Sequence, residues 1–411
     1  MKPLAPSTPP APQDIAAALA AYNQGRDPER LALKYAKMRQ NPFIFLRGAC
    51  HLFYNAMPQV EALTRAPLAW ACGDLHFENF GSYKGDNRLV YFDINDFDEA
   101  ALAPCTWDLL RLLTSLQCGA ADLKVSAAQA QALSQACVSA YQQALLRGKA
   151  LWVEGETASG MVAGLFERLK ARRRVDFLNA RSVLHKNGRR RLKVDGQKAL
   201  PVTDDERQRV TAFVQRYASQ QAHPGFFEVL DVARRIAGTG SLGLPRYAVL
   251  VEGKGSPDAN LLLDLKAAQP SSLIPALNAL GVKQPDGVDE AQRIVAAQYR
   301  MQAVDHAFLA AVEFEGRPWV LKGLQPSEDR VDMAQGKSNP EGLLATAQTL
   351  GRVLAWDQLR ASGRSGAASA DALIAFARQP HWPEAVLEAA LQMAKLTQVQ
   401  WQAFSDSSLG R

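Results

Sequence analysis

A short acidic segment interrupted by a predicted hairpin places the strongest constraint on the fold of this chain. Asp74 is followed five residues later by Asn79, and a second acidic group at 93–98 comes after two apolar-rich runs. The two runs flank a Gly- and Asx-rich turn at 84–87, which is typical of a β-hairpin. The hairpin predicts that the chain doubles back and brings the second acidic group close to the first.

These residue types match the needs of phosphoryl transfer. The reaction requires a carboxylate beside the attacking hydroxyl and oxygen ligands for Mg²⁺. Mg²⁺ is usually held by one or two carboxylates together with phosphate and water, so an Asn carbonyl with one Asp is sufficient. We therefore interpret Asp74 as the residue that orients the acceptor, and Asn79 with Asp96 or Asp93 as metal ligands. Each of these residues alone is more typical of a helix cap or turn than of a metal site. The interpretation therefore depends on the complete segment 73–98.

A second cluster, far downstream, contains a glycine-rich loop and a lysine. Gly238, Gly240, Ser241 and Gly243 form the loop, and Lys266 lies on the second of two strand-like runs that follow. The backbone N–H groups of such a loop can approach phosphates, and the lysine adds a positive charge. A dinucleotide-binding fingerprint would need a helix directly after the third glycine, whereas β-rich sequence follows here. The pattern favours a hairpin flap over the phosphates of a nucleotide.

The composition is that of a folded globular chain. Its 411 residues are 47% hydrophobic and 21% charged, which allows one large core or two lobes, and the net charge of +6 favours anionic ligands. The five cysteines form no Cys-x-x-Cys pair, so we expect reduced thiols in a cytoplasmic protein. No apolar run approaches the length of a membrane span, so no membrane partner is expected, and the Pro-rich residues 1–13 predict a disordered tail.

A densely basic segment at 168–193 contains triple-arginine runs at 172–174 and 189–191. We expect a solvated face, with contact to a nucleic acid or an acidic substrate as the less favoured alternative, because only Phe177 offers an aromatic platform there. Apolar patterning predicts helices at 14–54 with interruptions, 126–147, 160–169, 289–304, 341–361 and 371–404, and strands at 247–252, 260–267, 308–314 and 319–324.

Together these motifs resemble a family of bacterial proteins grouped as domain of unknown function 2252, which are similar to protein kinases and aminoglycoside phosphotransferases. The resemblance implies an α+β, two-lobed, protein-kinase-like fold with a small antiparallel β lobe and a large helical lobe. In kinases the glycine loop and lysine precede the catalytic loop, whereas here they follow it, so a circular permutation is implied. The motifs that carry the resemblance are 45–48, 73–79 with 93–98, 107–109, 238–243 and 265–267.

The resemblance also implies a division of the chain and a function. The implied function is an ATP- and Mg²⁺-dependent phosphotransferase acting on an unknown hydroxyl acceptor, either a small molecule or a protein. Transfer of AMP and a non-catalytic, nucleotide-binding pseudokinase are the alternatives. The implied parts are the tail at 1–13, a helical catalytic lobe at 14–230, a β-rich nucleotide-binding lobe at 231–326, and C-terminal helices at 327–411 that complete the large lobe.

Individual roles follow from the same resemblance. Asp74 matches the catalytic base, and Asp96 is preferred to Asp93 as the metal-binding Asp because its distance from Asp108 reproduces the family spacing. Lys266 matches the phosphate-binding lysine. Kinases hold this lysine with a Glu on the following helix, but the sequence at 295–298 is Val-Ala-Ala-Gln, which favours the pseudokinase alternative. The residues matching the metal ligands are Asn79 and Asp96, with Asp93 as a further candidate, and those matching the phosphate flap are Gly238, Gly240, Ser241 and Gly243.

Overall fold

A computed structural model of the protein describes residues 12–325, 329–334 and 338–410. The described chain is a mixed α+β protein in which every pair of neighbouring strands is antiparallel. The helices are α1 (Pro12–Tyr22), α2 (Pro28–Met38), α3 (Pro42–Gly48), α4 (Cys50–Asn55), α5 (Glu61–Thr64), α6 (Thr106–Cys118), α7 (Ala127–Arg147), α8 (Gly160–Ala171), α9 (Arg174–Asn179), α10 (Asp204–Ser219), α11 (Ile274–Ala279), α12 (Glu290–Met301), α13 (Pro340–Ala361), α14 (Ala370–Ala377) and α15 (Trp382–Asp406). The strands are β1 (Leu68–Ala71), β2 (Phe80–Lys84), β3 (Val90–Ile94), β4 (Ala101–Pro104), β5 (Val153–Glu154), β6 (Ser182–Leu184), β7 (Arg190–Leu192), β8 (Ala199–Leu200), β9 (Val229–Arg235), β10 (Arg246–Val251), β11 (Leu261–Ala267), β12 (Ala310–Phe314) and β13 (Arg317–Gly323).

Most of the predicted elements are present near their expected positions. The predicted hairpin is formed by β2 and β3, and α7 begins after Ser126, whose side chain and that of Gln129 form a capping box. The single helix expected at 371–404 is instead two helices, because the chain turns through His381 in the left-handed region (φ 61°) before α15. The tail predicted at 1–13 lies outside the described residues as far as residue 11, and α1 begins at Pro12.

A six-stranded sheet in the order β12-β13-β11-β10-β9-β8 forms one part of the structure. One face of this sheet is apolar, with Val249, Leu265 and Leu321 packed in a core that also contains Phe213 of α10. Because side chains alternate along a strand, the residues between them point to the opposite face. On β11 the alternate residues include Lys266, so the second face of the sheet is charged and lines a cleft.

The long helices pack in a larger hydrophobic core on the other side of the cleft. It contains α6, α7 and α13, together with the sheet β1-β4 and the sheet β2-β3-β5. The N-terminal helices α1 and α2 form a smaller core with the end of α15, in which Tyr35 contacts Phe404. Within the described ranges, no helix has the length and apolar character needed to cross a membrane.

Candidate active site

A cleft of about 500 Å³ separates the charged face of the six-stranded sheet from the acidic segment. Asn79 and Asp96 line it from one side, and Lys266 lines it from the sheet. The glycine loop that joins β9 to β10 contributes Gly238. The structure therefore brings together the two clusters that are far apart in the sequence.

The loop that carries Asp74 is held in place by a buried carboxylate in the first turn of α6. Asp108 accepts hydrogen bonds from the backbone N–H groups of Cys72 (2.7 Å) and Gly73 (3.0 Å). Gly73 has φ +88°, and a Cβ atom there would collide with the Glu99 carbonyl, so the position requires glycine. Burial raises the pKa of Asp108 to about 6. Its main role in this geometry is to fix the backbone that precedes Asp74.

Asp74 faces the glycine loop and forms an ion pair with a buried arginine. Its Oδ1 accepts a hydrogen bond from Nε of the fully buried Arg111 at 2.7 Å, and Arg111 Nη2 contacts the same oxygen. An ideal Cβ at Gly240 would lie 3.8 Å from Oδ2, so the glycine loop passes directly over the free carboxylate oxygen. Burial raises the pKa of Asp74 to about 6, although Arg111 acts in the opposite direction.

The donor set around Asn79 fits a magnesium ion. The Asn79 side-chain NH₂ donates to the Asp74 carbonyl at 2.7 Å, and no described donor bonds its Oδ1, which leaves that oxygen for a ligand. Burial alone would raise the pKa of Asp96, but nearby Lys266, Lys322 and Arg246 hold it below its ordinary value. The described residues contain no cluster of three or more His, Cys, Asp or Glu that could hold a metal by itself. One carboxylate and one amide oxygen remain suitable for Mg²⁺, which completes its shell with phosphate and water.

Lys266 is paired with a carboxylate, but this carboxylate does not belong to a Glu of the following helix. Its ammonium forms an ion pair with Asp98, two residues after Asp96. Helix α12 presents Ile294 and Gln298 to the cleft, while Glu290 bonds Arg293 at 2.6 Å. Burial lowers the pKa of Lys266 to about 8, and the charge of Asp96 opposes that shift.

Asp93 is placed away from the other predicted metal ligands. Its carboxylate accepts hydrogen bonds from the backbone N–H groups of Ile94 (2.8 Å) and Ala303 (3.3 Å) and interacts with the buried Asp357. Asp93 lies within β3 and Asp96 lies in the loop beyond its end, so different elements position the two side chains. The Asp93 side chain does not line the cleft, and its role as a further metal ligand stays a prediction.

The glycine loop is held by basic residues of the N-terminal segment, and no sequence pattern indicates this contact. Arg26 donates to the carbonyls of Gly240 (2.6 Å) and Leu242 (2.9 Å), and the buried Lys34 donates to Gly240 at 2.8 Å. Gly240 and Ser241 line a smaller cavity of about 60 Å³ next to Asp74, whereas Gly243 lies against Arg26. The loop is thus a hairpin connection, as predicted. Its carbonyls accept hydrogen bonds from the N-terminal segment.

Further cations line the cleft from the sheet and from the basic segment. Arg235 and Arg246 both bind the Asp264 carboxylate, and Lys322 lies across from Asp264 on β13. Charged and apolar residues alternate along these strands, and this pattern in the sequence indicates a sheet with one charged face. The basic segment is only partly a solvated surface: Arg190 is buried and bonds Asp258 (2.9 Å), Arg172 pairs with Asp329, and Arg181 and Lys193 line the cleft.

Comparison with known proteins places the chain among proteins without an assigned activity. A family model described as an uncharacterized protein conserved in bacteria, domain of unknown function 2252, matches residues 26–407. No curated protein and no solved structure matches the chain.

Proposed function

The chain belongs to this family of uncharacterized bacterial proteins, and we propose that it is an ATP- and Mg²⁺-dependent phosphotransferase that acts on a hydroxyl acceptor. One observation carries the proposal: Asn79 and Asp96 line the same cleft as Lys266 and the glycine loop. Phosphoryl transfer depends mainly on positioning and charge neutralisation, and these groups supply both.

The proposed reaction transfers the γ-phosphoryl group of ATP. The acceptor oxygen bonds to the γ-phosphorus, the bond from that phosphorus to the β–γ bridging oxygen breaks, and ADP leaves. Asp74 takes the proton of the acceptor hydroxyl, and its pKa of about 6 leaves it ionised at neutral pH. Lys266 neutralises phosphate charge from the sheet. Asn79 and Asp96 would hold Mg²⁺, whose chemical contribution is to neutralise charge on the phosphates.

The proposal includes the permuted, two-lobed kinase-like arrangement. In it, 14–230 and 327–411 form the helical catalytic lobe and 231–326 the nucleotide-binding lobe. Support comes from the separate apolar core on the outer face of the six-stranded sheet, although α10, which precedes residue 231, also packs in that core. The five unpaired cysteines fit the reducing cytoplasm, where we place the protein.

The direct test is label transfer. Purified protein is incubated with Mg²⁺, ATP labelled at the γ-phosphate and a fractionated cell extract, beside the Asp96→Asn variant and an Asp286→Asn control. Asp286 is exposed in the loop before α12, so its substitution removes one charge without touching the cleft. We expect transfer by the wild type and the control, and a loss of roughly 100-fold or more for Asp96→Asn. Absence of both nucleotide binding and label transfer in the wild type would refute the proposal.

Two alternatives give different results in the same experiment. Transfer of AMP, in which the acceptor oxygen attacks the α-phosphorus and pyrophosphate leaves, labels the acceptor from α-labelled but not γ-labelled ATP. It gains some support from Arg246 and Lys322, which extend the positive charge of the cleft beyond Lys266. A pseudokinase predicts thermal stabilisation by ATP without transfer from either position; the pairing of Lys266 with Asp98 weakens the argument for it, because the lysine is not without a carboxylate.

A further inference from the structure

We infer that the part of the cleft lined by β11 and β13, called the inner end below, is a phosphate-binding subsite in which Lys322 acts as a second lysine ligand, next to Lys266, for the polyphosphate chain of a nucleotide. The inference rests on the proposed function and adds which part of the nucleotide the inner end receives. It is carried by the positions of charged residues on the cleft face of the six-stranded sheet and by the ion pairs that they form.

Strand register places the two lysines close together on one face. Asp264 of β11 lies directly opposite Lys322 of β13, and Lys266 lies opposite Val320. Lys266 and Lys322 are therefore diagonal neighbours on adjacent strands, a relationship that brings side-chain origins within about 8 Å in antiparallel sheets. Both side chains line the same cavity as Asp96, and both act on the charge of its carboxylate. A phosphate chain held near Asp96 is within reach of both.

Each of the neighbouring cations forms an ion pair with a carboxylate. Arg246 forms two hydrogen bonds with Asp264, of 2.8 and 2.5 Å, and Arg235 binds the same carboxylate at 2.5 Å. Lys266 is paired with Asp98. These pairs hold the arginines and the first lysine in fixed positions around the inner end.

Lys322 is different because it forms no ion pair within the described ranges. Its one described hydrogen bond is a long contact of 3.5 Å to the Asn95 carbonyl. Together with Arg235, Arg246 and Lys266 it makes four cations on the sheet, whose acidic neighbours are Asp96, Asp98 and Asp264, so this group of seven residues has one positive charge in excess before any metal is counted.

A purely structural explanation accounts poorly for Lys322. Lys322 is half-buried, and removing part of the water around an ammonium without a paired anion costs free energy that an aliphatic side chain at this position would avoid. The opposite face of the same strand shows that apolar residues suit this sheet, since Trp319 and Leu321 are buried there. An unpaired cation on the wall of a cavity of about 500 Å³ is accounted for if the cavity binds an anion. Phosphate groups meet that need, whereas an uncharged base or sugar does not.

The experiment measures binding of ATP, inorganic tripolyphosphate and adenosine by calorimetry in the presence of Mg²⁺. The proteins compared are the wild type, Lys322→Gln, Lys322→Arg, and Lys254→Gln, which removes an exposed lysine from the turn between β10 and β11. Lys322→Gln is expected to weaken ATP and tripolyphosphate roughly tenfold or more and to leave adenosine unchanged. Lys322→Arg should retain most of the affinity, and Lys254→Gln all of it. Thermal melts establish that each variant is folded.

The outcomes separate this inference from the proposed function. If the wild type binds ATP and folded Lys322→Gln binds it within twofold of the wild type, the inference is wrong and the proposed function stands. If Lys322→Gln weakens adenosine as much as ATP, Lys322 serves the nucleoside end and the inference is again wrong. If the wild type binds tripolyphosphate but not ATP, the anion subsite is supported and the proposed use of ATP fails. If the wild type binds neither, both fail.

Discussion

The ion pair between Lys266 and Asp98 joins the middle of the six-stranded sheet to the loop that carries the proposed metal ligand Asp96. The lysine is almost entirely buried, whereas the Asp98 side chain is 32% exposed. Removal of the carboxylate leaves a buried ammonium without its partner, which costs more than the loss of the pair itself. The pair therefore connects the two walls of the cleft.

This pair predicts strong coupling between the two positions in unfolding experiments. In a double-mutant cycle, Lys266→Met and Asp98→Asn should show an interaction free energy of about 1–3 kcal/mol in urea denaturation. The matched cycle of Lys266→Met with exposed Asp286→Asn should be additive within about 0.5 kcal/mol. Additivity in both cycles would mean that the ion pair contributes nothing to stability.

A second prediction concerns the carboxylate that supports the loop carrying Asp74. Both Asp108 oxygens accept backbone N–H groups, from Cys72 and Gly73. Asp108→Asn turns one acceptor into a donor that faces another donor, so we expect a loss of about 1–3 kcal/mol in the free energy of unfolding. Hydrogen exchange should show faster exchange of the Cys72 and Gly73 amides. Unchanged exchange at these two amides would argue that the carboxylate does not fix the loop.

Several parts of the site could be read from the sequence because they depend on local patterns. The hairpin β2–β3 follows from a turn between apolar-rich runs, and the hairpin form of the glycine loop follows from the absence of a helix after Gly243. Each of these depends on residues whose role is set within one or two elements.

Other parts could not be predicted, because the partners are distant in the chain. Nothing in the spacing shows that Asp98 pairs with Lys266, that Arg111 pairs with Asp74, or that Lys34 reaches the glycine loop. Those contacts depend on how the sheet docks on the helical core, and no local periodicity encodes that geometry. The partners of Asp93 are of the same kind, since its carboxylate contacts Ala303 and Asp357 from distant segments.

A third prediction tests the contact between the glycine loop and the N-terminal segment. Gly243 has φ +89°, and a Cβ atom there would lie 2.8 Å from Arg26 Cβ. Gly287 has a similar φ of +77° with nothing within 4 Å, so it isolates the cost of backbone strain. We expect Gly287→Ala to cost about 1–2 kcal/mol and Gly243→Ala clearly more in urea denaturation. Equal costs would mean that Arg26 moves away without penalty.

A fourth prediction concerns the buried lysine that holds the loop. Lys34 donates to Asn23 Oδ1 (3.0 Å) and to the Gly240 carbonyl (2.8 Å), and burial lowers its pKa well below the ordinary value. Lys34→Met keeps the side-chain volume but leaves Asn23 Oδ1 unsatisfied, at a cost of about 1–3 kcal/mol. Hydrogen exchange should increase at 237–244 in this variant and not in Lys37→Met, which changes a lysine on the same helix. Equal exchange in the two variants would contradict a role in holding the loop.

The last prediction is that the protein loses stability in acid through buried histidines that remain neutral. His306 is buried against Tyr83, with ring centroids 5.7 Å apart, and its Nδ1 lies 2.9 Å from the Ala307 carbonyl. Burial lowers the pKa of His306 to about 4, whereas the unfolded chain titrates near the ordinary value of 6.5. Between these two values the unfolded state binds more protons than the folded state. The free energy of unfolding therefore decreases as pH falls from about 6.5 to about 4, by at most about 1.4 kcal/mol per pH unit from this residue.

Urea denaturation over a series of pH values tests the role of His306. His306→Gln should reduce the dependence of the unfolding free energy on pH, and exposed His185→Gln should leave it unchanged. Identical slopes in the wild type and His306→Gln would show that His306 is not the group responsible.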